Sequence, residues 1–213
     1  MKMKFLSAAL GIAFSAIALS ASAQKTYTEG IVTYKTSMRG QDVEIKEYFR
    51  ADSAAATFSA GPATIKLLSD ANHKSFAVLV DVPVASIKKA AVYTPDEVEQ
   101  VMSTLPTFTF APGTETKQIS GFNCKKVVAT DNKDKKTYDI WVTTDITVPE
   151  TAVPVYYKAI GGFPVQYSMF QQGQSTEVTV SSVTDQKAPA GTFGIPADFD
   201  KISKDDLAAM SGG

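Results

Sequence analysis

The chain has 213 residues, of which 20% are charged, with 21 Lys+Arg against 22 Asp+Glu and a formal net charge of −1. That balance excludes the strongly basic face that nucleic-acid binding requires, and it gives no attraction to an anionic membrane surface. One cysteine and one histidine exclude an intrachain disulfide and leave a zinc site without its usual ligand set.

Lys2 and Lys4 form a short positive n-region ahead of an apolar run from Phe5 to Leu19. Ala21-Ser22-Ala23 fits the small-x-small rule, so residues 1–23 read as a secretory signal peptide cleaved after Ala23. The run of about 15 apolar residues is short of the ~20 that a spanning helix needs. Gln24 stands where a lipid-anchored protein would need Cys. Residues 24–213 are then expected to form one β-rich domain in the bacterial periplasm, with secretion beyond the outer membrane left open. No transmembrane segment is expected after cleavage.

Period-two runs separated by turn residues recur along this domain. Tyr27 to Thr36 alternates. In the next run Val43, Ile45, Glu47 and Phe49 alternate with Glu44, Lys46, Tyr48 and Arg50. Further strands are expected at 54–58, 65–69, 75–82 and 87–93, a spacing that suggests a continuous antiparallel meander. A helix follows: Thr94 and Glu97 make a capping box with Pro95 at its first position, and Pro106 ends it. Val98, Val101, Met102 and Leu105 fall at i, i+3, i+4 and i+7, one apolar stripe to lie over a sheet. Strands resume at 114–119, 122–130, 137–144, 163–170 and 177–183, with a polar turn at 131–136. Ser203 and Asp206 predict a short helix in the tail, from 203 to 210.

No catalytic constellation stands out, and no cofactor or metal is expected. His73 reads as a turn residue, and Cys124 as a small buried residue on a strand face, with a reactive thiol as the lesser alternative. Asp131, Asn132 and Asp134 begin like a calcium loop. Lys136 and Val142 occupy the positions where that loop needs Gly and a bidentate Glu, so the stretch reads as a hairpin turn. Asp139 and Asp145 have no local partner to tune them as an acid pair. Trp141, the only tryptophan, either packs under a neighbouring element or faces a ligand.

Four motifs occur in fixed order: Ile-Ser-Gly-Phe-Asn-Cys-Lys-Lys at 119–126, Trp-Val-Thr-Thr-Asp-Ile at 141–146, Gly-Gly-Phe-Pro at 161–164 and Phe-Gly-Ile-Pro-Ala-Asp-Phe at 193–199. With the tail Asp-Leu-Ala-Ala-Met, this order resembles an exported bacterial family of unknown function grouped with the LolA-like lipoprotein carriers. It also resembles a cousin family named for a Gly-Leu-Pro-Gly-Leu-Ile motif, which is degenerate here. The resemblance implies a half-open antiparallel barrel with helices on its concave side, a cavity that holds acyl chains in the lipoprotein carriers. The expected fold class is mainly β: a strongly curved antiparallel sheet or half-open barrel with one or two short helices. The expected function is non-enzymatic binding of an apolar ligand, a lipid or the acyl chains of a lipoprotein. Val98, Val101, Met102 and Leu105 would form the lid, and Trp141 would line the cavity. The alternative is a structural or protein-interaction component of the cell envelope with a filled core.

Overall fold

The computed structural model describes residues 24–38, 40–171 and 173–211. The expected signal peptide lies outside the described residues. The strands are β1 (Lys25–Thr26), β2 (Glu29–Met38), β3 (Gln41–Arg50), β4 (Ser53–Ala60), β5 (Ala63–Asp70), β6 (Phe76–Val82) and β7 (Ile87–Tyr93). Helix α1 (Pro95–Ser103) precedes β8 (Phe108–Ile119), β9 (Phe122–Asp131), β10 (Thr137–Thr143) and β11 (Ile146–Thr147). Then come β12 (Phe163–Gln171), β13 (Gln174–Thr184), β14 (Asp200–Ile202) and helix α2 (Lys204–Ser211).

Twelve of these strands form one sheet in the order β14-β7-β6-β5-β4-β3-β2-β13-β12-β10-β9-β8, while β1 pairs with β11 apart from it. Every pair in the large sheet is antiparallel except β14 on β7. Strands β2–β7 form the continuous antiparallel meander expected from their spacing, and β8, β9, β10, β12 and β13 form a second one, joined to the first where β13 pairs with β2 across Val180↔Tyr34. Sequence spacing cannot show that join, because its partners lie at opposite ends of the chain.

The topology forces the sheet to curl. In the strand order β7 and β8 lie ten spacings apart, about 48 Å along a flat sheet. The link between them, residues 94–107, holds the nine-residue α1 and a few extended residues. It reaches only about 33 Å. The sheet closes toward a half-barrel to bring β7 and β8 within that reach, and the link carrying α1 spans the open side. The outer strands β14 and β8 do not pair, so the barrel stays open.

Local chemistry starts α1 as the sequence predicts. The Thr94 side chain accepts from the Glu97 N–H at 3.3 Å, and the Thr94 N–H donates to Glu97 at 2.7 Å. Strand β8 begins six residues earlier than expected, running through Pro112-Gly113. Pro112 pairs with Val127, and the register shifts between Pro112 and Thr116, a bulge that absorbs Gly113, Thr114 and Glu115.

The sheet is covered on both faces. Its inner face carries the main core: Val32, Tyr34, Ile45, Phe49, Ile140, Val142, Val165, Tyr167, Val178 and Val180. On its outer face Ala55, Leu68, Ala77, Leu79 and Ala90 form a second cluster under Phe193, Ile195 and Phe199. The alanines leave room for these bulky side chains of the segment that follows β13.

One close approach depends on glycine. A Cβ on Gly30 would run into the Thr184 carbonyl and meet the Phe49 ring at 3.0 Å. Gly30→Ala therefore has to spread β2 from β13, and a loss of about 2–3 kcal/mol in urea unfolding is expected. An unchanged midpoint would show that the join between the meanders gives way without cost.

Candidate functional site: the inner face of the curled sheet

The inner face has two halves of different character. Over β8–β10, β12, β13, β2 and β3 it is filled by the segment 148–162, which enters from β11 and leaves into β12. Tyr157 of this segment is fully buried. Its ring stacks on Phe108 at 5.6 Å and meets Tyr167 edge-on at 5.6 Å, and its hydroxyl donates to the Ser168 carbonyl at 2.8 Å. Tyr156 packs against Phe108 and Phe170, and its hydroxyl accepts from the Phe170 N–H at 3.2 Å. The Thr151 hydroxyl bonds the Arg50 carbonyl at 2.6 Å, and Lys158 Nζ lies 3.4 Å from His73 Nε2. The segment is thus pinned from β8 to the turn after β5, and it plugs this half with aromatic rings.

Over β4–β7 the inner face is mostly apolar and largely half-buried. Cross-strand register aligns Val32, Glu47, Ala56, Leu67, Val78 and Ala91 in one row. A neighbouring row runs Phe58, Ile65, Val80 and ends on Lys89, which pairs with Asp200, and another runs Ala54, Ser69, Phe76, Tyr93. Phe58, Ile65, Leu67, Phe76, Val78, Val80 and Tyr93 all keep part of their surface exposed. Phe76 and Tyr93 meet edge-on at 5.0 Å.

Glu47 stands where these halves meet, in a row that is otherwise apolar. Tyr34 is within hydrogen-bonding reach of the Glu47 carboxyl and of Tyr167, and both tyrosines are buried in the core. Burial pushes the Glu47 carboxyl up to about 7, against the smaller opposing effect of the Tyr34 bond. The sequence carried this signal, since Glu47 is the one charged residue on the apolar side of its alternating run.

The expected site residues do not all come together. In α1, Val98 is buried at 5% exposure, Met102 and Leu105 are half-buried, and Val101 is 39% exposed. The inward stripe is thus Val98, Met102 and Leu105, with Val101 turned to solvent. Trp141 lies on the outer side of β10, opposite Ile140 and Val142, with the Lys117 ammonium 4.0 Å above its ring. Its register partners are Lys126 and Gln166. Strand alternation separates it from the inner face, so Trp141 and the helix stripe do not line one cavity.

The remaining candidates are each engaged elsewhere. Cys124 is buried, and burial, with the Asp145 charge second, pushes its thiol up to about 11. It stays protonated and unreactive at neutral pH. His73 is partly buried rather than a free turn residue, and burial, then the Lys158 charge, lowers its pKa. Asp139 pairs with Lys126 at 2.7 Å, and Asp145 accepts from the Asn123 backbone N–H at 2.7 Å. Asp131 accepts from the Lys133 N–H at 2.7 Å in a plain turn. No group of three or more His, Cys, Asp or Glu among the described residues could hold a metal ion.

Fold and site together define a half-open, mainly β protein with a partly exposed apolar inner face. No protein-family model matches the sequence, and no characterised protein matches it. Solved structures do. One of PNGF-II in a P21 crystal aligns with a TM-score of 0.51 and 15% identity over 86% of this chain, but over 33% of its own. PNGF-II in a C2 crystal aligns at 0.49 and 17% identity, over 86% of this chain and 32% of its own. This chain spans about a third of PNGF-II. An uncharacterized conserved protein from Thermus thermophilus aligns at 0.50 and 9% identity, over 83% of this chain and 91% of its own. At these identities the likeness is one of fold.

Proposed function

We propose that this protein is a non-enzymatic carrier that holds an apolar ligand of the acyl-chain class on the inner face of β4–β7, with α1 as its lid. The observation that carries the reading is the contrast between the halves of the inner face. One half is sealed by Tyr156 and Tyr157, while Leu67, Val78, Ile65, Val80 and Phe76 stay half-exposed on the other. Contiguous apolar surface left near water costs roughly 25 cal/mol per Å², and such patches mark binding faces. Val98, Met102 and Leu105 supply apolar contacts from the link that spans the opening. The resemblance to the LolA-like carriers points the same way. In this reading the carrier works in the periplasm, the compartment its signal-peptide features predict, and its cargo is a lipid or a lipoprotein.

A protein partner on an exposed edge has weaker support. The edge strand β8 carries Pro112, a bulge, and the charged Glu115 and Lys117, features that discourage strand addition. Among the described residues no helix is long and apolar enough to cross a membrane.

Titration with dansyl-labelled undecanoic acid tests the carrier. Saturable binding is expected, and Leu67→Glu is expected to weaken it at least about tenfold by placing a carboxylate against the chain. Trp141, on the outer face, should keep its fluorescence as ligand enters. Absence of uptake, together with a ligand-free native mass spectrum of protein purified from a bacterial envelope, would sink the proposal.

A further inference from the structure

The outer face of β3–β5 holds a groove of about 720 Å³, lined among others by Glu44, Lys46, Tyr48, Thr57, Lys66 and Thr192. Its size lies within the range of small-molecule sites. Register places Lys46, Thr57 and Lys66 in one row across its floor. The two lysines thus flank Thr57, their backbones about 10 Å apart across the middle strand. Lys46 has Glu44 within 3.6 Å.

Lys66 differs from every comparable lysine among the described residues. Lys88, Lys89, Lys126, Lys158 and Lys204 are likewise half-buried, and each has a carboxylate within 4.0 Å: Asp198, Asp200, Asp139, Glu150 and Glu97 in turn. Lys66 is half-buried with no acid beside it, and burial alone lowers its pKa. A partly desolvated ammonium with no counter-charge is costly unless an anion completes it. The walls add what a polyol would need. Thr57, Ser59 and Gln41 offer hydrogen bonds, and the Tyr48 ring offers an apolar face.

We infer that this groove is a second binding site, for a small polyol that carries an anionic group, a sugar acid or a sugar phosphate, with Lys66 and Thr57 holding the anion. Lys46, Thr57 and Lys66 point to the face of β3–β5 opposite the acyl-chain surface, while Val43 and Phe58 reach the rim of the groove from the inner face.

Calorimetric titration at low salt with glucose 6-phosphate, glucuronate, inorganic phosphate and glucose tests it. At least one anionic sugar is expected to bind in the micromolar to low millimolar range, and which one it is tells a phosphate site from a carboxylate site. Lys66→Met should weaken that binding at least about tenfold, while Leu67→Glu leaves it unchanged. The Lys66→Met protein should melt no lower than the wild type, because the change removes an unpaired half-buried charge. Absence of heat from both anionic sugars at 10 mM, equal binding by Lys66→Met, or equal binding of glucose would each overturn the site. Inorganic phosphate binding as tightly as glucose 6-phosphate would overturn its polyol part.

Discussion

In urea unfolding at pH 8, Glu47→Gln is expected to be more stable than the wild type by about 2 kcal/mol, and below about pH 4 the two proteins should unfold together. The folded Glu47 carboxyl titrates at about 7, above its ordinary value of 4.5. Between these values the folded protein holds a proton that the unfolded chain has lost, so this group lowers stability as pH rises across the window. Gln cannot ionise, and its side-chain oxygen still accepts from Tyr34. The variant therefore escapes the cost of a buried carboxylate at high pH and matches the protonated acid at low pH. Full conversion of the shift would exceed ~3 kcal/mol, and the remaining exposure of Glu47 reduces it. Asp52, Asp70, Asp185, Asp198 and Asp206 shift downward, so their contributions fall away only in more acid solution. The His73 shift, downward from its ordinary value, acts with the opposite sign, but it is common to both proteins and cancels in the difference. Parallel pH profiles for wild type and variant would show that Glu47 ionises freely and does not lie on the floor of the apolar face.

The second large effect is expected at Tyr157. Its ring touches Phe108, Phe110, Tyr156 and Tyr167, and its hydroxyl satisfies the Ser168 carbonyl. Truncation to Ala empties the centre of the plug and is expected to cost about 3–5 kcal/mol, a large share of a usual stability of roughly 5–15 kcal/mol. Tyr157→Phe keeps the ring and leaves the Ser168 carbonyl without its donor, for a loss of about 1–2 kcal/mol. Denaturant midpoints of the two variants measure both. Equal effects would mean that the hydroxyl, rather than ring packing, secures the segment.

Much of this architecture was legible in the residues, and the reason is local physics. Alternation in 43–50 and 137–144 marks strands, because successive side chains point to opposite faces. Thr94, Pro95 and Glu97 start α1, and Ser203 with Asp206 starts α2 by the same hydrogen-bond exchange. Three features were not legible. The strand expected at 114–119 starts at Phe108, because a bulge after Pro112 carries β8 through. The segment 148–162 has no strand or long-helix period, and its role as an aromatic plug depends on rings supplied by β8, β10 and β12. Strand β14 has three residues and exists only because β7 offers it an edge.

The candidate site divides along the same line. The sequence by itself determined that β3 has one charged residue on its apolar side, that α1 has an apolar stripe, and that Trp141 shares a strand face with polar neighbours. Those are properties of single elements, set by a period of 2 or 3.6 and by capping groups within a few residues. Only the tertiary structure decided that Trp141 lies outside, that Glu47 lies at the boundary between a filled half and an open one, and that Lys66 lacks a counter-charge. Each of these follows from which strands are neighbours. That choice rests on contacts between distant parts of the chain, above all the β13–β2 join, which no local pattern encodes.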